Sequence, residues 1–205
     1  MPSVDEWTAW RRRVFGDPYL VWHEGAEFQV LLQTCAAEPA ETAAMLAAGL
    51  GYADHVAAES IAVLAETGRA PEGSLELLKA ASATASGAFA IRVAQALRVM
   101  TGDEGWTRLI VRVLHTDDHW GGRLDAAMAL ARFTPTDELI GELGRAVRDP
   151  EYLVRIHAAD TLLRYAGRKR DAEAYPRIFS AITADREPAW AAIADELTAL
   201  ARAKL

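Results

Sequence analysis

Residues 117–133 and 149–165 match each other at an offset of 32. Asp117 aligns with Asp149, Arg123 with Arg155 and Ala126–Ala127 with Ala158–Ala159. Leu130 aligns with Leu162, Arg132 with Arg164 and Phe133 with Tyr165. A unit of this length cannot bury its own apolar face, so the period predicts a stack of helical hairpins in which neighbours supply each other's core. Such a pattern constrains architecture and carries no reaction chemistry.

Helix-stop signals recur near the same period. Thr67–Gly68, Thr101–Gly102, Thr134–Pro135 and Ala166–Gly167 lie 34, 33 and 32–33 residues apart. Glycine past a helix end takes a left-handed conformation without steric cost, and proline there blocks continuation. Between the stops each unit reads as two helices. Trp106, Leu109, Ile110, Val113 and Leu114 form one helical stripe, followed by a turn at Thr116–His119 and a second helix from Trp120 to Phe133. The next unit places Leu139, Ile140, Leu143 and Val147 on its first helix, turns at Asp149–Pro150 and runs Tyr152 to Tyr165. A further unit has Tyr175, Ile178, Phe179 and Ile182, then a closing helix that Pro188 suits at its first turn. Upstream, 40–50 with 53–66 and 75–83 with 88–100 read as two more pairs. Gly102–Gly105 and Gly121–Gly122 read as turns.

The expected fold is therefore all-α, a right-handed solenoid of about five to six antiparallel helix pairs in one domain spanning residues 1–205. Its clearest repeats are 103–135, 136–168 and 169–205, and residues 1–40 are an irregular N-terminal cap. Trp7, Trp10, Phe15, Tyr19 and Trp22 concentrate bulk near the start, and Trp7, Trp10 and Trp22 are expected to pack the end of the stack before they bind anything.

Composition agrees: 51% hydrophobic residues but only 8% aromatic, with alanine dominant, favour closely packed helices over sheet. Cys35 stands alone, which excludes an internal disulfide and fits a small core residue. The segment from Met1 to Phe15 lacks an apolar core like that of a signal peptide, and no apolar run reaches membrane-span length. A cytoplasmic protein is expected. The net charge of −7 is uneven. Residues 14–91 hold ten acids against Arg69 and Lys79, whereas from 103 onward seventeen acids face fifteen bases. An acidic first half repels phosphate and attracts a basic protein.

The units Asp117-x5-Arg123-x2-Ala126-Ala127-x2-Leu130 and Asp149-x5-Arg155-x2-Ala158-Ala159-x2-Leu162 resemble HEAT repeats, most nearly the bacterial HEAT-like form of phycobilisome lyases. The resemblance covers roughly residues 40–205. It implies that the turn aspartate and second-helix arginine form a ladder between units, which makes Asp117, Arg123, Asp149 and Arg155 structural. It also implies that second helices line the concave face. There His157, Asp160 and Arg164 share one side, with Asp125, Met128 and Arg132 as their equivalents one unit earlier. Arginine and methionine adapt well to partner surfaces. Against a partner role stands an ordinary surface pair, Asp160 with Arg164.

Catalytic chemistry finds little footing. His115-Thr-Asp117-Asp118-His119 is the densest set of metal-ligand types, but Asp117 belongs to the ladder and the segment is a short turn. HEAT-like di-iron hydroxylases need several His-Glu pairs, and here only His23–Glu24 has that form. HEAT-like DNA glycosylases place an acid with tryptophans in a basic groove. Trp106, Trp120 and Trp190 invite that comparison and the negative charge opposes it. Bilin lyases share the fold, but nothing specifies a chromophore pocket. No phosphate loop, dinucleotide fingerprint or nucleophile elbow occurs. The expectation is a non-enzymatic, monomeric binding scaffold or adaptor without metal or cofactor, engaging a basic protein or peptide through Asp125, Met128, Arg132, His157, Asp160 and Arg164. A sharper form is an immunity-type protein that neutralises a basic effector. The alternative is a HEAT-like glycosylase or bilin lyase acting in the groove.

Overall fold

Alanine-rich stripes interrupted by glycine and proline fold as helices in the computed structural model, which describes residues 1–205 apart from the side chain of Trp22. Thirteen α-helices and no strand occur among the described residues. None of these helices is long and apolar enough to cross a membrane. The chain divides into two units, Met1–Trp106 and Thr107–Leu205.

The first unit contains α1 (Val4–Phe15), α2 (Pro18–Glu24), α3 (Gln29–Ala37), α4 (Pro39–Gly51), α5 (His55–Glu66), α6 (Ser74–Ser82) and α7 (Gly87–Thr101). Ser3 and Glu6 form a reciprocal capping box that starts α1. The expected stops at Gly68 and Gly102 both take left-handed conformations, each with φ 69°. α4 packs on α5 and α6 on α7, while α4 also meets α6 and α5 meets α7. First helices thus lie beside first helices, and second beside second. Trp7 and Trp10 stack at 5.5 Å and are both buried. Asp54 ties α1 to α5: it caps α5 through Val56 N, accepts from Trp7 Nε1 at 3.0 Å and pairs with Arg11 Nε at 2.9 Å. The side chain of Trp22 lies outside the described residues, and Tyr19 is exposed. Cys35 is buried in α3.

The second unit contains α8 (Thr107–Thr116), α9 (Trp120–Leu130), α10 (Asp137–Ala146), α11 (Tyr152–Tyr165), α12 (Pro176–Ile182) and α13 (Glu187–Arg202). The stripe expected on its first helix is buried at Leu109, Ile110, Val113 and Leu114. Trp106 instead ends a 3-10 turn, Glu104–Trp106, and its indole donates to Thr101 Oγ1. Packing again runs α8 on α9, α10 on α11, α8 beside α10 and α9 beside α11. The last pair departs from the pattern. α12 is only seven residues long, and α13 packs against both α10 and α11. Arg202 pairs with Asp137 at 2.6 Å, and Arg148 pairs with Asp195, which holds α13 across α10.

Gly121 and Gly122 correct the reading of a turn, because both lie in the first turn of α9. Glycine usually weakens a helix, but here neighbouring groups occupy the space of a side chain. A Cβ on Gly122 would collide with the Asp117 carboxylate. Gly121 N donates to His119 Nδ1, the cap of α9.

Candidate functional site

α9 and α11 approach closely because Ala126, Ala127, Ala158 and Ala159 are fully buried between their neighbours. Two buried hydroxyls then fix the rotation of one helix on the other. Thr161 Oγ1 donates to Ala127 O at 2.9 Å, and Tyr165 OH donates to Leu130 O at 2.6 Å. With that rotation set, equivalent positions of the two helices project outward together. Trp120 on α9 and Tyr152 on α11 are 41% and 48% exposed, and Met128 is 41% exposed. Half-buried Leu124 and Ile156 continue the two apolar rows. Trp120, Leu124 and Met128 recur every four residues and so share one face of α9.

The sequence-selected residues fall into two groups. Asp125, Met128, Arg132 and Arg164 are exposed. His157 and Asp160 are half-buried because the chain after α11 turns back through Gly167 and packs a 3-10 turn, Ala172–Ala174, against that helix. Asp160 Oδ1 accepts from Ala172 N at 2.7 Å, and its Oδ2 lies 3.8 Å from His157 Nδ1. Asp160 is therefore committed to this turn, in place of the surface pair with Arg164. Burial pushes His157 below the usual imidazole value; Asp160 and Asp125 oppose that shift, and Arg170 adds to it. Trp120, Leu124, Tyr152 and Ile156 were not selected as binding residues from sequence. The signal was available, since Trp120 and Tyr152, like Leu124 and Ile156, stand one offset of 32 apart outside the buried stripe.

The two aligned arginines behave differently. Arg123 grips Asp149 with two parallel bonds, Nε to Oδ2 at 2.8 Å and Nη2 to Oδ1 at 3.0 Å. Its Nη1 also donates to Asp117 O at 2.9 Å. Hydrogen bonding to Asp149 pushes the guanidinium pKa further up, despite partial burial. Arg155 finds no such aspartate. It is buried, donates from Nε to Ile182 O at 2.6 Å and from Nη1 to Asp149 O and Pro150 O, and lies 3.9 Å over the Trp190 ring. The sequence holds the reason: position 181, one offset beyond Asp149, is alanine.

Beside the Arg123–Asp149 pair opens a cleft of about 360 Å³, whose lining includes His115, Asp117, Asp118 and Arg145. Its charges are largely used internally. His115 Nε2 lies 2.7 Å from Glu142 Oε2, which also pairs with Arg145, while Asp117 Oδ1 accepts from His119 N. No group of three His, Cys, Asp or Glu side chains among the described residues is arranged to hold a metal ion. The tryptophans of the glycosylase comparison do not converge: Trp190 lies against Arg155, Trp120 faces outward stacked on His119, and Trp106 bonds Thr101. No family model, no curated protein and no solved structure matches this chain.

Proposed function

We propose that the chain is a non-enzymatic protein-binding scaffold built as a HEAT-like solenoid of five to six antiparallel helix pairs, with the outward face of its second helices as contact surface. The observation that carries this reading is the pair of rows on α9 and α11. Trp120, Met128 and Tyr152 are exposed at positions fixed by buried neighbours, and large apolar side chains in such rows mark contact surfaces. The side-by-side packing of like helices and the Arg123–Asp149 rung support the solenoid. Acidity supports a basic partner. Among the described residues Glu24, Glu27, Glu66 and Glu72 are exposed and join no ion pair, whereas Arg11, Arg13, Arg92 and Arg98 all pair with acids. Neutralisation of a basic effector is the specific form of this proposal.

Affinity capture from the native host, with wild-type protein and a Trp120→Asp/Tyr152→Asp variant, tests the proposal. A protein recovered with the wild type, lost with the variant and released by moderate salt is the expected result. Nucleic acid recovered without any protein, or release of alkylated bases from DNA, overturns it in favour of the enzyme alternative.

A further inference from the structure

Arg132 and Arg164 repeat at the offset of 32, as Arg123 and Arg155 do, yet they take no part in holding the repeats together. Both are exposed, and neither joins an ion pair or side-chain hydrogen bond among the described residues. Their neighbours in sequence, Phe133 and Tyr165, are buried and anchor the same segments. Arg164 sits in the last turn of α11, where any cation suits the helix dipole. Arg132 lies beyond the end of α9, in the turn that follows.

The acids within α9 and α11 are Asp125 and Asp160. Asp160 accepts from Ala172 N and adjoins His157, and Asp125 acts on the same imidazole. Among the described residues, Arg132 and Arg164 are thus exposed cations without an ion pair beside these two helices. Arginine presents a planar fork that matches a carboxylate, and two forks in register select two carboxylates over one. Apolar rows begin one end of the face at Trp120 and Tyr152, and the arginines close the other.

We infer that this face takes an acidic segment of a partner protein, with apolar side chains on Trp120, Tyr152 and Met128 and carboxylates on Arg132 and Arg164. The inference rests on the binding role proposed above and adds the chemistry of the segment docked on α9 and α11; the basic surface of the same partner meets the exposed acids of residues 14–91, not this face. α9 rises on the order of 15 Å from Trp120 to its end at Leu130, and Arg132 follows two residues further on. An extended segment covers that span in about five or six residues, so its aromatic or aliphatic anchor and its acids are separated by that number.

A random 12-residue peptide library displayed on phage and selected on the full chain tests the inference. Wild-type protein is expected to enrich peptides with an apolar anchor and two Asp or Glu residues about five positions away. The charge-reversed Arg132→Glu/Arg164→Glu protein is expected to enrich Lys or Arg at those positions, and to bind a wild-type-selected peptide at least about tenfold more weakly. Circular dichroism checks that both variants fold. Enrichment that ignores charge reversal but is lost in Trp120→Asp/Tyr152→Asp overturns the arginine clamp and leaves the binding face standing. No enrichment, or enrichment indifferent to both variants, overturns both.

Discussion

Arg123 and Arg155 show how one residue in one repeat position acquires two jobs from its surroundings. Arg123 meets a carboxylate that is itself only 10% exposed, so removing the guanidinium strands a largely desolvated charge. Asp149 keeps one bond from Glu151 N, which softens the loss. Arg123→Ala is expected to cost about 2–3 kcal/mol in chemical denaturation. Arg123→Lys keeps the charge but loses the paired geometry and should cost about 1 kcal/mol. Equal losses for the two variants would mean that charge contributes nothing at this rung. Gly49 is decided by space alone. A Cβ there would lie 2.7 Å from both Ala57 Cβ and the Trp7 ring, and neither can withdraw from the packed interior. Gly49→Ala should therefore destabilise by about 1–3 kcal/mol through overpacking, with a red shift of tryptophan emission as Trp7 is displaced. An unchanged melting temperature would show that the α4–α5 contact yields more easily than its packing implies.

At the scale of the helix, α9 and α11 are registered by small residues and two hydroxyls. Thr161→Val and Tyr165→Phe preserve shape while removing the bonds to Ala127 O and Leu130 O. Each deletion should cost about 1 kcal/mol, and the double variant about 2 kcal/mol. Amide exchange in α9 should quicken ahead of that in α8; uniform acceleration would place the effect elsewhere. The periodicity that made these helices legible is the burial pattern itself: the bounds of α11 coincide with the reading from Tyr152 to Tyr165. Gly121 and Gly122 read as a turn by propensity, whereas their place in α9 depends on Asp117 and His119 filling the space, which propensity cannot encode. Ala172, the residue that half-buries Asp160, lies twelve positions away across a turn without periodicity, so the committed state of that carboxylate was invisible to helical spacing. Trp120 and Tyr152 stand in register at the offset of 32, but register alone does not tell which face of a helix an aromatic residue occupies.

For the whole chain, the charged and titratable groups set a pH response. His55 in the first unit and His157 in the second are both pushed below the usual imidazole value of 6.5, chiefly by burial. Asp54 and Glu59 oppose the shift at His55, while Arg92 and Arg11 reinforce it; Asp160 and Asp125 oppose it at His157, while Arg170 reinforces it. With the folded value depressed, the unfolded chain binds protons first as pH falls below about 6.5. Stability is therefore full above that pH and declines as pH drops through the folded values. Carboxylates add their own loss only nearer pH 4, so the interval from pH 7 to about 5.5 isolates the histidines. The melting temperature should fall across that interval in the wild type and stay nearly level in His55→Gln/His157→Gln. The single variants should each remove part of the slope, because the two imidazoles belong to separate cores and their effects add. A double variant that still loses stability as steeply as the wild type between pH 7 and 5.5 would assign the response to other groups.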